Sequence, residues 1–286
     1  MTSKDGGDDR MMTALIAAVE LERNKVMMDP VVDTNCSWST PDLIEKMNYS
    51  LDVERSMSTR PVYMERQPHM TKRKRSILVR RMKKVHRKLE LGRDVLGLAV
   101  NLLDRYLSMK LMSGNRSKGN LVGMTCLLVA SKFHDTDQHE ALGEYLCSPA
   151  YPFTGDDIAE TEMDILTTLD YHICIPTAHT FLHLYNEFNV INERITEDSL
   201  FILDHILPYY HLLDYLPSEV ARGAIYIARA FDDKHPWSLE LEVVTGYKES
   251  DVIPVARGVY HPLCREVNDP VALAEAAVSL SGVAGV

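Results

Sequence analysis

Between residues 71 and 262 apolar side chains recur three and four positions apart, the spacing that gathers them on one face of a helix, and no stretch alternates as a half-buried strand would. Gly, Pro, Ser and Asp punctuate the pattern. It predicts helices over 72–90, 94–110, 119–134, 140–147 and 155–169. A break follows at Pro176 in HICIPT, and then helices over 178–188, 197–213, 217–231, 238–244 and 249–259. The order is five helices, a linker, and five helices. The third of each set is its most apolar and carries small residues: Gly123, Ala130 and Ser131 in one, Ala221, Gly223, Ala224 and Ala228 in the other. Small side chains let neighbouring helices approach, and apolarity all round implies burial on every side, so each set reads as a bundle around its third member. Ahead of these, MMTALIAAVELE at 11–22 predicts a short amphipathic helix. Thr40, Pro41 and Asp42 start another that runs to about residue 57.

The expected fold class is therefore all-α: two tandem five-helix folds preceded by a short helical leader. The expected organisation is a flexible leader over 1–40, a helix and approach segment over 41–70, the first five-helix fold over 71–175, the second over 176–266, and a small-residue tail over 267–286 that frays.

The chain has 286 residues, 45% of them hydrophobic and 25% charged, enough for two domains with real cores. The longest apolar run, 121–130, is about half of a bilayer span, so no membrane partner is expected. MTSKDGGDDR is acidic where a secretory signal is basic. Five scattered cysteines without a C-x-x-C pair argue against a disulfide framework or zinc cluster and for a reducing compartment. Net charge is −10, yet residues 72–93 hold eleven Lys/Arg and one acid, Glu90, so one segment presents a strongly basic face.

FHDTDQHE places His134, Asp135, Asp137, His139 and Glu140 together, as metal-dependent phosphohydrolases of the His-Asp type do. The upstream histidine would be His86, on a helix whose basic charge repels a metal, so a polar loop is expected instead. No nucleotide loop, catalytic triad order or redox pair is present in the sequence, and neither cofactor nor metal is expected.

Several segments in order resemble one family. YMERQPHMTKRKR, RSILV, LAVNLLDRYLS, LVGMTCLLVASKF, EMDILTTLDYHICIPT and YLPSEVARGAIYIARA resemble, in sequence and spacing, the paired folds of A- and B-type cyclins over roughly residues 41–265. The resemblance implies a regulatory subunit that binds and activates a cyclin-dependent Ser/Thr kinase in cell-cycle control, does no chemistry itself, and works in the nucleus, the cytoplasm or both. Read alone, Lys132 is a cation near a helix C-terminus, favourable by about 0.3–1 kcal/mol. The resemblance instead pairs it with Glu162 on a kinase-binding face, with Phe133, Leu166, Tyr171 and Ile173 gripping the kinase's regulatory helix. Paired cyclin folds also serve as scaffolds in transcription, which is the alternative reading.

Two departures from the family stand out. Arg80 occupies the position of an aspartate that ordinarily pairs with the structural arginine matched by Arg75, so that pair cannot form in the usual way: either another acid substitutes or the first helix sits differently. The patch that recruits Arg-x-Leu substrates is also altered: Lys74 and Arg81 replace apolar residues, Lys84 replaces an acid, Gly119 replaces a leucine beside Asn120, and only Ile77 and Leu78 remain. An acidic or phosphorylated segment is the expected occupant. KRKR and RRMKK also fit an import signal or a nucleic-acid patch, but no aromatic residues interleave them.

Overall fold

The computed structural model describes residues 40–57, 63–112, 116–134, 138–149, 151, 153–232 and 235–268. The helix expected at 11–22, most of the leader and nearly all of the tail lie outside them. Among the described residues the chain forms twelve α-helices and no strand. They are α1 (Thr40–Met57), α2 (Tyr63–Arg66), α3 (Lys72–Lys88), α4 (Arg93–Met109), α5 (Arg116–Phe133), α6 (Gln138–Leu146), α7 (Gly155–Thr168), α8 (Ala178–Glu187), α9 (Glu193–Ile206), α10 (Pro217–Phe231), α11 (Leu239–Thr245) and α12 (Glu249–Asn268). None is long and apolar enough to cross a membrane.

Local chemistry sets most of the boundaries. The Thr71 hydroxyl accepts from the Lys74 backbone N–H and starts α3. Thr154 and Asp157 form a reciprocal capping box at α7. Gly246, at φ 72°, closes α11 in the left-handed conformation that costs glycine little. The helix expected over 197–213 ends instead at Ile206, because Pro208 offers no N–H and disfavours helical geometry at the residue before it; a 3-10 turn, Tyr210–Asp214, follows. The last helix continues past Pro262 to Asn268.

The chain forms two compact units. One comprises residues 44–183 together with 207–218. Its centre is α5, which packs against α3, α4, α6 and α7. Every residue from 122 to 131 is buried, as an all-round apolar helix requires. Gly123 lets α3 close on α5, since a Cβ there would stand 2.7 Å from Leu78 Cδ1. Among the described residues the other unit comprises 40–43, 184–206, 219–232 and 235–268. There α9 packs on α12, and α10 turns its small residues inward: Ala221, Ala224 and Ala228 are fully buried, and a Cβ on Gly223 would meet Val255 and Val259 at 3.2 Å. Arg194 pairs with Asp232 at 2.8 Å, and the Arg222 guanidinium lies 3.8 Å from the centre of the Tyr247 ring.

A buried polar network ties the first unit together and shows which of the two alternatives for Arg75 holds: another acid substitutes. Asp104 of α4 supplies the missing acid: Arg75 Nε donates to Asp104 Oδ1 and a terminal guanidinium nitrogen to Oδ2, both at 2.6 Å. The other terminal nitrogen reaches the Leu207 carbonyl at 3.0 Å, and Tyr63 O–H donates to Asp104 Oδ1 at 2.7 Å. Burial alone would lower the Arg75 pKa, but the charge and hydrogen bonds of Asp104 reverse the direction and hold the guanidinium protonated. Arg80, which displaces the family's usual acid, instead lies with its guanidinium 5.9 Å from the Tyr209 ring centre.

Candidate kinase-binding face

Lys132 stands in the last turn of α5 and Glu162 midway along α7. The two helices pack against each other, and Lys132 Nζ donates to both carboxylate oxygens of Glu162 at 2.8 Å. The lysine side chain is 43% exposed and the glutamate 21%, a setting in which an ion pair adds about 0–1 kcal/mol to stability. Holding the fold is a small part of what the pair can do; an amine and a carboxylate fixed side by side at a surface can bond a partner's carbonyls and amides.

The four apolar residues expected beside the pair divide in two. Phe133 and Tyr171 are exposed, while Leu166 and Ile173 are partly buried and pack on the core, so their areas serve the fold as well as the surface. Tyr171 is held outward by its backbone. Asp170 and Tyr171 both have positive φ, 50° and 58°, and the Tyr171 N–H closes onto the Leu166 carbonyl at 2.9 Å. Consecutive left-handed non-glycine residues are strained. Arg105 anchors the following residue by donating to the His172 carbonyl at 2.7 Å. Met163, which periodicity alone reads as an ordinary helix residue, joins this face: it is exposed, and its sulfur accepts from the Tyr171 hydroxyl at 3.7 Å.

Beneath the face, Asp164 braces α7 against α4. It accepts from Tyr106 O–H at 2.7 Å and is paired with Lys110. Burial pushes its pKa up, but the hydrogen bonds from Lys110 and Tyr106 and the lysine charge outweigh that and leave it below the ordinary aspartate value. A depressed carboxyl stabilises the fold above its unfolded pKa of about 3.9 and loses that contribution as pH falls through the folded value. Asp164→Asn is therefore expected to be less stable than wild type at pH 7, with the gap closing below about pH 4. Urea melts at a series of pH values would show it, and a pH-independent gap would contradict it.

The altered docking patch lies on α3. Ile77 is 41% exposed, Lys74 and Lys84 are exposed, and Arg81 donates to the Asn120 side-chain oxygen at 2.9 Å. Leu78 does not belong to it: only 4% exposed, it packs against Gly123. Gly119 is partly exposed, and a Cβ there would meet only the Met70 and Met112 methyls at 3.9 Å. Of the His-Asp stretch, Asp135 and Asp137 lie outside the described residues, and no metal-binding group is found among the described ones. His86 shares a hydrogen bond of 3.0 Å with the Gly92 carbonyl.

Two all-α units, the first carrying Lys132 at the end of its central helix paired with the partly buried carboxylate of Glu162 on α7, define a tandem helical fold. The sequence matches the family models of the cyclin N-terminal domain over residues 45–174 and the cyclin C-terminal domain over residues 176–274, and the chain belongs to the cyclin family. It is 27% identical to G2/mitotic-specific cyclin-2 of Antirrhinum majus, over 86% of this chain and 57% of that one. It is 26% identical to cyclin-B2-3 of Arabidopsis thaliana, over 90% and 64%. With G2/mitotic-specific cyclin S13-7 of Glycine max it shares 31% identity, over 68% of this chain and 75% of the relative. The chain thus spans 57% and 64% of the length of the first two relatives. Among solved structures, a viral cyclin from herpesvirus saimiri superimposes with a TM-score of 0.67 at 22% identity, covering 76% of this chain and 96% of that one. The yeast RNA polymerase II CTD kinase complex CTDK-1 contributes a chain that gives a TM-score of 0.51 at 14% identity, covering 78% and 71%. At these identities the likeness is one of fold.

Proposed function

We propose that this cyclin is the regulatory subunit of a cyclin-dependent Ser/Thr protein kinase in cell-cycle control, acting in the nucleus, the cytoplasm or both, and that it does no chemistry itself. The observation that carries the reading is the Lys132–Glu162 pair, both oxygens engaged at 2.8 Å on an exposed face whose apolar members include Phe133, Met163 and Tyr171. The apolar side chains supply area for the kinase's regulatory helix, and the charged pair sets its register. Holding that helix inward brings its glutamate against the ATP-binding lysine, and binding the active arrangement preferentially shifts the kinase population toward it. The mitotic cyclins among the relatives support a role in division.

The test is co-purification from cell extract with wild type and with the double variant Lys132→Ala, Glu162→Ala, followed by a protein-kinase assay on the eluate. Wild type is expected to bring down a kinase whose activity the double variant loses. Equal activity with both proteins would remove the pair from the interface, and no kinase with either would overturn the reading.

A further inference from the structure

Three exposed lysines of α3 and the partly buried Arg81 form an ordered stripe. Lys74, Arg81, Lys84 and Lys88 fall at intervals of seven, three and four residues, which at 3.6 residues per turn places them within ~80° of arc and along ~21 Å of helix. Ile77, exposed, lies inside the same arc. The polar partners these cations have are uncharged: Lys74 Nζ donates to the His69 carbonyl, Arg81 to the Asn120 amide oxygen, and Lys88 Nζ sits 4.4 Å from the Tyr145 ring centre. Among the described residues no carboxylate neutralises any of the four. In a chain of net charge −10 such a stripe is a local exception, complementary in sign to an anionic partner.

We propose that this stripe is a docking site for a phosphorylated segment of another protein, with an apolar residue of that segment seated on Ile77. Exposed single-charge pairs contribute little in water, so four isolated carboxylates would be held weakly. A phosphate brings close to two charges and three acceptor oxygens, and Arg81, Lys84 and Lys88 lie within two turns of one another to meet it. Nucleic acid fits less well. The rings bordering the stripe are already engaged with one another, Tyr145 against Tyr151 and Tyr151 against Phe153, each at 5.6 Å, so they offer no free platform for bases. A long polyanion would also extend beyond the stripe into the field of an acidic protein, whereas a short segment senses charge only within about a Debye length of ~8 Å. The inference stands on α3 and does not depend on the kinase-binding reading.

The test is fluorescence anisotropy with the full chain at low and physiological salt. The probe is a twelve-residue peptide carrying two phosphoserines, two glutamates and a leucine. It is expected to bind in the micromolar range, at least tenfold more tightly than its unphosphorylated form and than a basic Arg-x-Leu peptide. Lys74→Glu with Lys84→Glu should weaken it at least tenfold, and Lys74→Arg with Lys84→Arg should retain it. Arg87→Glu, exposed on a different face of α3, should change affinity threefold or less, and Lys132→Ala with Glu162→Ala should leave it unchanged. Thermal melts of each variant separate lost binding from lost folding. Absence of binding, equal loss with Arg87→Glu, or a twelve-nucleotide single strand binding as tightly as the phosphopeptide would each overturn the proposal.

Discussion

Replacing Asp104 by alanine is expected to lower the stability of the protein by about 3–5 kcal/mol, the loss typical of a buried ion pair deprived of one member. Asp104 and Arg75 are 2–3% exposed at their side chains, so water cannot take the place of the missing carboxylate. Three donors lose their acceptor in this single change: two guanidinium nitrogens of Arg75 and the hydroxyl of Tyr63. The Leu207 carbonyl remains for one guanidinium nitrogen but carries no charge to offset the cation. Domains are stable by only about 5–15 kcal/mol, so this substitution removes about a fifth or more of the total. The double variant Arg75→Met, Asp104→Leu removes the charges together and is expected to recover most of the loss, because two desolvation penalties disappear with the attraction. Urea unfolding of the wild type, the single variant and the double variant measures all three. A loss below about 1 kcal/mol for Asp104→Ala would mean that Arg75 has found another acceptor and that the network is less exclusive than its geometry implies.

That pair also shows where sequence reading stops. Arg80 displaces the family's usual acid, and no local pattern pairs positions 29 residues apart. A signal was nevertheless present. Within LAVNLLDRYLS, Asp104 lies four residues after Val100 and three before Leu107, on the stripe that becomes the buried face of α4. A carboxylate on an apolar stripe requires a buried cation, and Arg75 falls on the buried side of α3 with Leu78, Val79 and Met82. The same phase argument assigns Leu78 to the core, where it is found, although resemblance had put it at the surface beside Ile77. Helix periodicity was strong enough to reveal the all-α class and the central helix, because burial on all sides leaves an unbroken apolar run. Chain ends and breaks such as Pro208 were less legible, since they depend on single residues. The Lys132–Glu162 pair joins helices 30 residues apart and came from resemblance alone. Met163 escaped because an exposed thioether on an amphipathic helix has no pattern of its own, and only the left-handed turn that brings Tyr171 to it gives it a place on the face.

Gly123→Val is expected to cost about 3 kcal/mol, for a reason opposite to that of Asp104→Ala: too many atoms rather than too few partners. Even a single Cβ at this position would stand 2.7 Å from Leu78 Cδ1 and 2.9 Å from its Cγ, closer than carbon atoms tolerate. Leu78 is itself buried and cannot swing into solvent, so α3 and α5 must part or the leucine must leave its rotamer. Gly123→Ala should be milder, since the ~1 kcal/mol of helix propensity gained offsets part of the strain. The decisive comparison is with Leu78→Ala, which alone should cost about 2–5 kcal/mol through the cavity it leaves. Valine at 123 adds as many carbons as alanine at 78 removes, so the double variant should be more stable than the sum of the two losses by more than about 1 kcal/mol. Strict additivity would mean that the helices are not in van der Waals contact here. The consequence reaches the surface as well. Arg81 on α3 bonds to Asn120 on α5 at 2.9 Å, so a valine that forces the helices apart should break that bond and disturb the basic stripe, while the compensated double variant restores both.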